Sequence, residues 1–183
     1  MKSDYLFNSE RLGFRNWEES DLDEFAALTA DPAVMEHFPA LLTRKETSDL
    51  MTRLQKHYLE RGHTYFATEI LETGEFIGFI GLVYQRYESP FTPAVDIGWR
   101  LKQSAWGKGY ATEGAKRCLR LAFDNLKLDK VIATCTERND KSENVMQKIG
   151  MTKIGEFHHP ALADYPEHGK CLCYQITEIL LLS

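Results

Sequence analysis

The 183-residue sequence predicts an α/β (α+β) protein built on one mixed sheet with helices on both faces. Three observations predict it. Residues 94–136 read as strand, glycine loop, amphipathic helix and strand, which is a crossover unit between parallel strands. Further strand patterns flank this unit, and helix-period segments with capping signals precede and follow it. The composition, 43% hydrophobic and 27% charged, supplies apolar material for one sizeable core, so a single domain over residues 1–183 is the simplest count.

Each element has its own local reason. Leu12 and Phe14 alternate with Arg11, Gly13 and Arg15, giving a first strand. Ser20 with Asp23 opens a helix carrying Leu22, Phe25, Ala26 and Leu28, and Asp31-Pro32 stops it. Thr43-Arg44-Lys45-Glu46 is a capping box for a long helix with Thr47, Leu50, Met51, Leu54 and Tyr58 inward, ended by Gly62. Strands over 64–71 and 76–84 are joined by the turn Glu72-Thr73-Gly74-Glu75. In Ala94–Leu101, Val95, Ile97, Trp99 and Leu101 share one side, and Asp96, Gly98 and Arg100 the other. From Tyr110 to Leu126, Ala111, Ala115, Cys118, Leu119, Ala122 and Leu126 form a helical stripe, leaving Glu113, Lys116, Arg117, Arg120 and Asp124 to a wet face. Lys130–Thr136 is a β-branched strand, and Asn139 or Asp140 caps a short helix with Val145, Met146 and Ile149 buried and Gly150 past its end. Strands near 151–158 and 170–182 complete the sheet.

Composition also excludes function classes. No apolar run approaches a membrane span, and Met1–Leu6 lacks a signal-peptide core, so a cytoplasmic protein is expected. The four cysteines include no C-x-x-C, which points to buried reduced thiols. Adjacent His158 and His159, read as strand residues, point to opposite faces and argue against a metal. No basic stripe suggests nucleic acid, and a net charge of -5 leans toward a cationic partner.

The stretch Trp106-Gly107-Lys108-Gly109-Tyr110-Ala111-Thr112-Glu113 has the makings of an anion cradle. Its glycines let backbone approach a ligand, and the helix that follows aims free N–H groups and a positive dipole end at the same spot. It is not a P-loop, since Lys108 precedes Gly109 and Lys102 stands where the first glycine belongs. Nor is it a dinucleotide fingerprint, since Thr112 occupies the sixth position and Asp129 precedes the next strand. Alone, the two glycines serve a tight turn equally well; the strand before and the helix after favour a phosphate-bearing cofactor. Asn139 and Ser142 at the start of the short helix either cap it or face that cofactor.

W-G-K-G-Y-A-T-E after I-G-W, with N-x-x-S-x-x-V-x-x-K-x-G-M after the next strand, resembles the two halves of the acetyl-CoA site in the GNAT superfamily of N-acetyltransferases. The opening Ser9–Leu22 resembles the entry strand and first helix of its RimJ/RimL branch, the ribosomal-protein N-terminal acetyltransferases. The resemblance implies a single GNAT domain with a mostly antiparallel sheet, acetyl-CoA as cosubstrate without a metal, and a primary amine as acceptor, on a protein N-terminus or a small molecule. It assigns the diphosphate to Gly107, Lys108, Gly109, Tyr110, Ala111 and Thr112, and the pantetheine arm to main-chain groups of Trp99 and Leu101 and to Asn139. Lys102, Lys108, Lys141 and Lys148 either meet the phosphates or stay solvated.

The resemblance implies Asp96 as the base, or else as a salt-bridged or substrate-orienting carboxylate, a main-chain N–H such as that of Leu101 for the developing oxyanion, and Ser142 as the group that assists the departing thiolate. Many relatives carry a tyrosine acid where this chain has Met146, which has no proton to give. Acceptor walls are expected from Asp31, Glu36, His37, Phe38, Tyr84, Tyr87 and residues 158–168. A non-catalytic acetyl-CoA-binding or sensor module is the alternative, a nucleotide-dependent oxidoreductase is a weaker one, and a homodimer remains open.

Overall fold

The computed structural model describes residues 4–166 and 168–178. Its sheet has eight strands: β1 (Phe7–Asn8), β2 (Leu12–Arg15), β3 (Tyr65–Ile70), β4 (Phe76–Gln85), β5 (Ala94–Leu101), β6 (Lys130–Thr136), β7 (Thr152–His158) and β8 (Lys170–Thr177). The spatial order is β1-β2-β3-β4-β5-β6-β8-β7, antiparallel throughout except between β5 and β6. The helices are α1 (Leu22–Thr29), α2 (Arg44–Arg61), α3 (Tyr110–Arg120) and α4 (Asp140–Lys148).

Both faces of the sheet are covered because both faces of its central strands are apolar. On one side Ala115, Cys118 and Leu119 of α3 and Met146 of α4 pack on Leu12, Phe14, Ile80, Leu82 and Ile97. On the other, Phe25 and Leu28 of α1 and Met51 and Leu54 of α2 pack on Trp17, Ala67, Phe76 and Phe79. The alternation read in β5 is therefore real: its Ile97 and Leu101 join the α3 side, while Asp96 faces the other way, toward the hydroxyl of Tyr65.

Most boundaries follow from the local signals. The Thr43/Glu46 box opens α2, with Glu46 N–H donating to the Thr43 hydroxyl, and Gly62 closes it in the left-handed region at φ 72°. Gly74 makes the β3–β4 turn at φ 70°. Three readings need correction. A two-residue strand, β1, precedes the first expected one; its two residues were too few to show a pattern. The first helix is entered through a 3-10 turn boxed by Glu18 and Asp21 rather than by Ser20 and Asp23, since Asp21 turns inward to Arg15 at 2.7 Å. The helix from Tyr110 loses α geometry at Leu121 and finishes as a π turn, Leu121–Asn125. The expected end of the last strand, 179–182, and the start of the N-terminal segment, 1–3, lie outside the described residues.

Candidate active site

The site lies where the sheet comes apart. β5 and β6 share only one register pair, Asp96↔Ile132, and diverge beyond it. The phase of the β4–β5 ladder then fixes which groups are left over. The Lys102 N–H donates to the Ile77 carbonyl at 2.9 Å, so even-numbered residues of β5 turn their main chain to β4 and odd-numbered ones to β6. Past Ile97 there is no strand for them to meet, which leaves the main-chain groups of Trp99 and the N–H of Leu101 facing the gap. The Leu101 carbonyl accepts from the Trp106 indole at 2.8 Å. Trp99 thus offers both main-chain groups to a ligand, and Leu101 only one.

The gap is part of a cleft of about 940 Å³ that runs through the molecule from the α3 start to the α1–α2 side. At one end stand Gly107, Gly109, Tyr110, Ala111 and Thr112. Gly107 and Gly109 have φ of 71° and 80°, conformations that L side chains rarely adopt, and a Cβ on Gly107 would meet nothing within 4 Å. Gly109 is the N-cap of α3 with no side-chain cap, so the first-turn amides of the helix are open. Lys108 does not line the cleft; its carbonyl accepts from Arg11 at 3.1 Å.

Arg11 was read only as a strand residue, yet it pins this loop. Its guanidinium and main-chain N–H both bind Glu113, at 2.6 and 2.8 Å, and it lies 4.6 Å from the Tyr110 ring. Ser9 donates to the same carboxylate at 2.7 Å, so Glu113 is a structural anchor rather than a solvated face residue. The contact joins positions about a hundred residues apart, and no local signal could have shown it.

Asn139 is the N-cap of α4: its side-chain oxygen accepts from the Ser142 N–H at 3.0 Å. Capping commits the oxygen and leaves the amide nitrogen for a ligand. Asn139, Ser142, Val145 and Met146 all line the cleft, with Met146 fully buried at its wall. Of the four lysines considered, Lys141 and Lys148 reach the cleft, Lys141 lying 4.3 Å from the Trp106 ring. Lys102 instead pairs with Glu24 at 2.5 Å, away from the loop.

Asp96 sits at the centre, 7% exposed. The Tyr65 hydroxyl donates to its Oδ1 at 2.6 Å, and the Gln85 amide lies at 3.4 Å. Burial pushes its pKa up to about 6, opposed by these two hydrogen bonds. Tyr65 is held by stacking on Phe79, ring centroids 5.0 Å apart, and it covers Gly98, where a Cβ would come within 3.0 Å of its ring. Gly98 is therefore what lets Tyr65 reach Asp96.

The far wall is formed by Glu36, His37 and Phe38 as expected, and by His159, Ala161 and Leu162. Three expected wall residues do not line the cleft: Asp31 binds Gln103 at 2.9 Å, Tyr84 lies under the Arg61 guanidinium at 4.2 Å, and Tyr87 is set back from it. Tyr87 stands behind His159, ring centroids 4.2 Å apart. His159 is not a strand residue; β7 ends at His158 and His159 caps a short 3-10 turn. Among the described residues no group of three or more His, Cys, Asp or Glu could hold a metal ion, and no helix is long and apolar enough to cross a membrane. All four cysteines are buried, with Cys135 and Cys171 reaching the cleft wall.

Known proteins share this fold. The chain is 30% identical over 150 residues, 81% of this chain and 84% of the relative, to the uncharacterized N-acetyltransferase YnaD of Bacillus subtilis. It superposes on the crystal structure of a GNAT-family acetyltransferase from Bacillus anthracis with a TM-score of 0.76 and 28% identity, covering 94% of this chain and 98% of that one. It shares its fold with RimL, the ribosomal L7/L12 alpha-N-protein acetyltransferase, in complex with coenzyme A, at a TM-score of 0.74 and 16% identity over 92% of this chain and 95% of that one. The last figure speaks for the fold and not for a branch. The model of the acetyltransferase (GNAT) domain matches residues 11–152, a span that holds both the glycine loop and the Asn139 helix. This protein therefore belongs to the GNAT acetyltransferases and uses acetyl-CoA as its cosubstrate.

Proposed function

We propose that the protein transfers the acetyl group of acetyl-CoA to a primary amine by direct attack, with Asp96 as the base. The observation that carries this is the placement of Asp96: a buried carboxylate on the opposite face of the strand from α3, held by Tyr65 and raised to about 6. A protonated amine has no lone pair, so transfer needs a group that removes its proton near neutral pH. A carboxylate in water, at about 4, would be a weaker base.

The remaining roles follow from the open groups of the cleft. The amides of Gly107, Gly109, Tyr110 and Ala111 and the Thr112 hydroxyl hold the diphosphate at the α3 dipole. Arg11, whose Nη2 lies 3.5 Å from the Cβ position of Gly109, adds a cation beside them. Trp99, Leu101 and the Asn139 amide nitrogen meet the two amides of the pantetheine arm. The amine nitrogen bonds to the carbonyl carbon, its proton passes to Asp96, and the carbon–sulfur bond breaks. Ser142 donates a hydrogen bond to the departing sulfur. Ser142 suffices in place of a tyrosine because a thiolate, with pKa of about 8.5, needs little help to leave.

The reading is tested by the pH dependence of thiol release for wild type and Asp96→Asn. An acid limb near pH 6 that is present in the first and absent in the second supports it. Equal rates at every pH remove Asp96 as base.

A further inference from the structure

One cation in the cleft has no partner in the scheme above. Arg100 lies two residues beyond Gly98, on the Asp96 side of β5, and lines the cleft. Its guanidinium carbon sits 4.0 Å from the Phe38 ring centre and 5.4 Å from that of Phe79. Nε and Nη1 are shut off from solvent and have no hydrogen-bond partner. The buried Arg15 and Asp96 are matched: Arg15 lies 2.7 Å from Asp21 and 2.5 Å from Glu69, and Asp96 accepts from Tyr65. Arg100 is half-buried, and donor atoms of a cation that are shut off from water and unmet are unfavourable unless something arrives to satisfy them.

Resting on the amine-transfer reading, we propose that the acceptor is an amino-acid-type molecule that carries a carboxylate as well as its amine, and that Arg100 anchors the carboxylate. Burial lowers the Arg100 pKa only to about 10, so it remains a cation at neutral pH. The Phe38 ring fixes the plane of the fork, and a planar fork pairs with a planar carboxylate through two parallel bonds, from Nη2 together with either Nε or Nη1. A phosphate would bring a second negative charge against Phe38 and Phe79 with one cation to meet it.

Asp96 and Arg100 share one face of β5 four residues apart, about 13 Å along the strand, and both line the cleft, with the Tyr65 ring over Gly98 between them. That span suits a small molecule with an amine at one end and a carboxylate at the other. It does not suit a protein N-terminus, whose carboxylate is remote, or a polyamine, which would set further cations beside Arg100.

The test pairs each of a panel of free amino acids with its amide in a thiol-release assay with acetyl-CoA, using wild type, Arg100→Met and Arg100→Lys. In wild type the free acid of the true acceptor is expected to exceed its amide in kcat/KM by about 100-fold, because the amide leaves the fork unpaired. Arg100→Met brings that ratio to near one and Arg100→Lys restores part of it, while calorimetry gives both variants the wild-type affinity for acetyl-CoA and so reports an intact fold. Amides that match or exceed their acids in wild type, or a ratio indifferent to Arg100→Met, overturn the carboxylate assignment and leave amine transfer standing. Ethanolamine phosphate outperforming every amino acid also overturns it. A protein that binds acetyl-CoA yet acetylates no amine overturns the transfer reading, and this proposal with it.

Discussion

Burial lifts the Asp96 carboxyl to about 6 while hydrogen bonds from Tyr65 and Gln85 pull it down, so its charge changes within the pH range where an enzyme works. Removing the Tyr65 donor in Tyr65→Phe is expected to raise this pKa further, by roughly one unit, since a hydrogen bond to a charged group contributes about 1.5 kcal/mol. The acid limb of kcat/KM then moves to higher pH, which a pH–rate profile reads directly. The same shift has a stability consequence. The folded state holds the Asp96 proton more tightly than the unfolded chain, whose value is near 3.9, so stability falls as pH rises from about 4 to about 6. The loss, on the order of 1–3 kcal/mol, persists above pH 6. Asp96→Asn should therefore melt higher than wild type at pH 8, and the difference should vanish near pH 4; a variant that melts lower at pH 8 contradicts the assignment. Asp96 was legible in the sequence as the polar residue of an alternating strand. The isolation of Arg100 was not, because it depends on Phe38, which reaches it from the segment between α1 and α2.

Among the elements, the α3 start shows how much a loop motif determines by itself. Gly107 and Gly109 were readable as backbone that approaches a ligand or makes a tight turn; the structure gives them left-handed φ, and α3 begins at Tyr110. Gly109→Ala forces an L side chain to φ 80°, at a cost of about 1–2 kcal/mol, and displaces the amides of the first turn. Acetyl-CoA affinity by calorimetry should fall at least tenfold, with a smaller change in melting temperature. Gly98→Ala tests the neighbouring strand: a Cβ there would lie 3.0 to 3.1 Å from three atoms of the Tyr65 ring and should push it off Asp96. The expected result is a loss of kcat with acetyl-CoA affinity retained. Capping signals placed α2 to the residue, whereas the π turn after Arg120 and the Arg11–Glu113 anchor are set by tertiary contacts that periodicity does not encode.

The whole molecule is a sheet in two parts, β1 to β5 and β6, β8 and β7, joined in register at one pair. The order of strands and helices was legible because each has strong local punctuation. The splay between β5 and β6 was not legible, since nothing in either strand forbids pairing. A ligand seated in that seam touches both parts and should stabilise them together. At a hundredfold excess over Kd, acetyl-CoA contributes about 2.7 kcal/mol, or a rise in Tm of roughly 5–10 °C for a chain of this size. Hydrogen exchange should slow at both β5 and α4.

The most direct measurement is a crystal structure with acetyl-CoA bound. The diphosphate should lie within hydrogen-bonding distance of the main-chain amides at 109–112, the pantetheine arm against Trp99 and Leu101, and the acetyl carbonyl on the side of β5 where Asp96 opens to the acceptor. A diphosphate bound anywhere other than the start of α3, or an arm that leaves the β5–β6 seam closed, would contradict this placement.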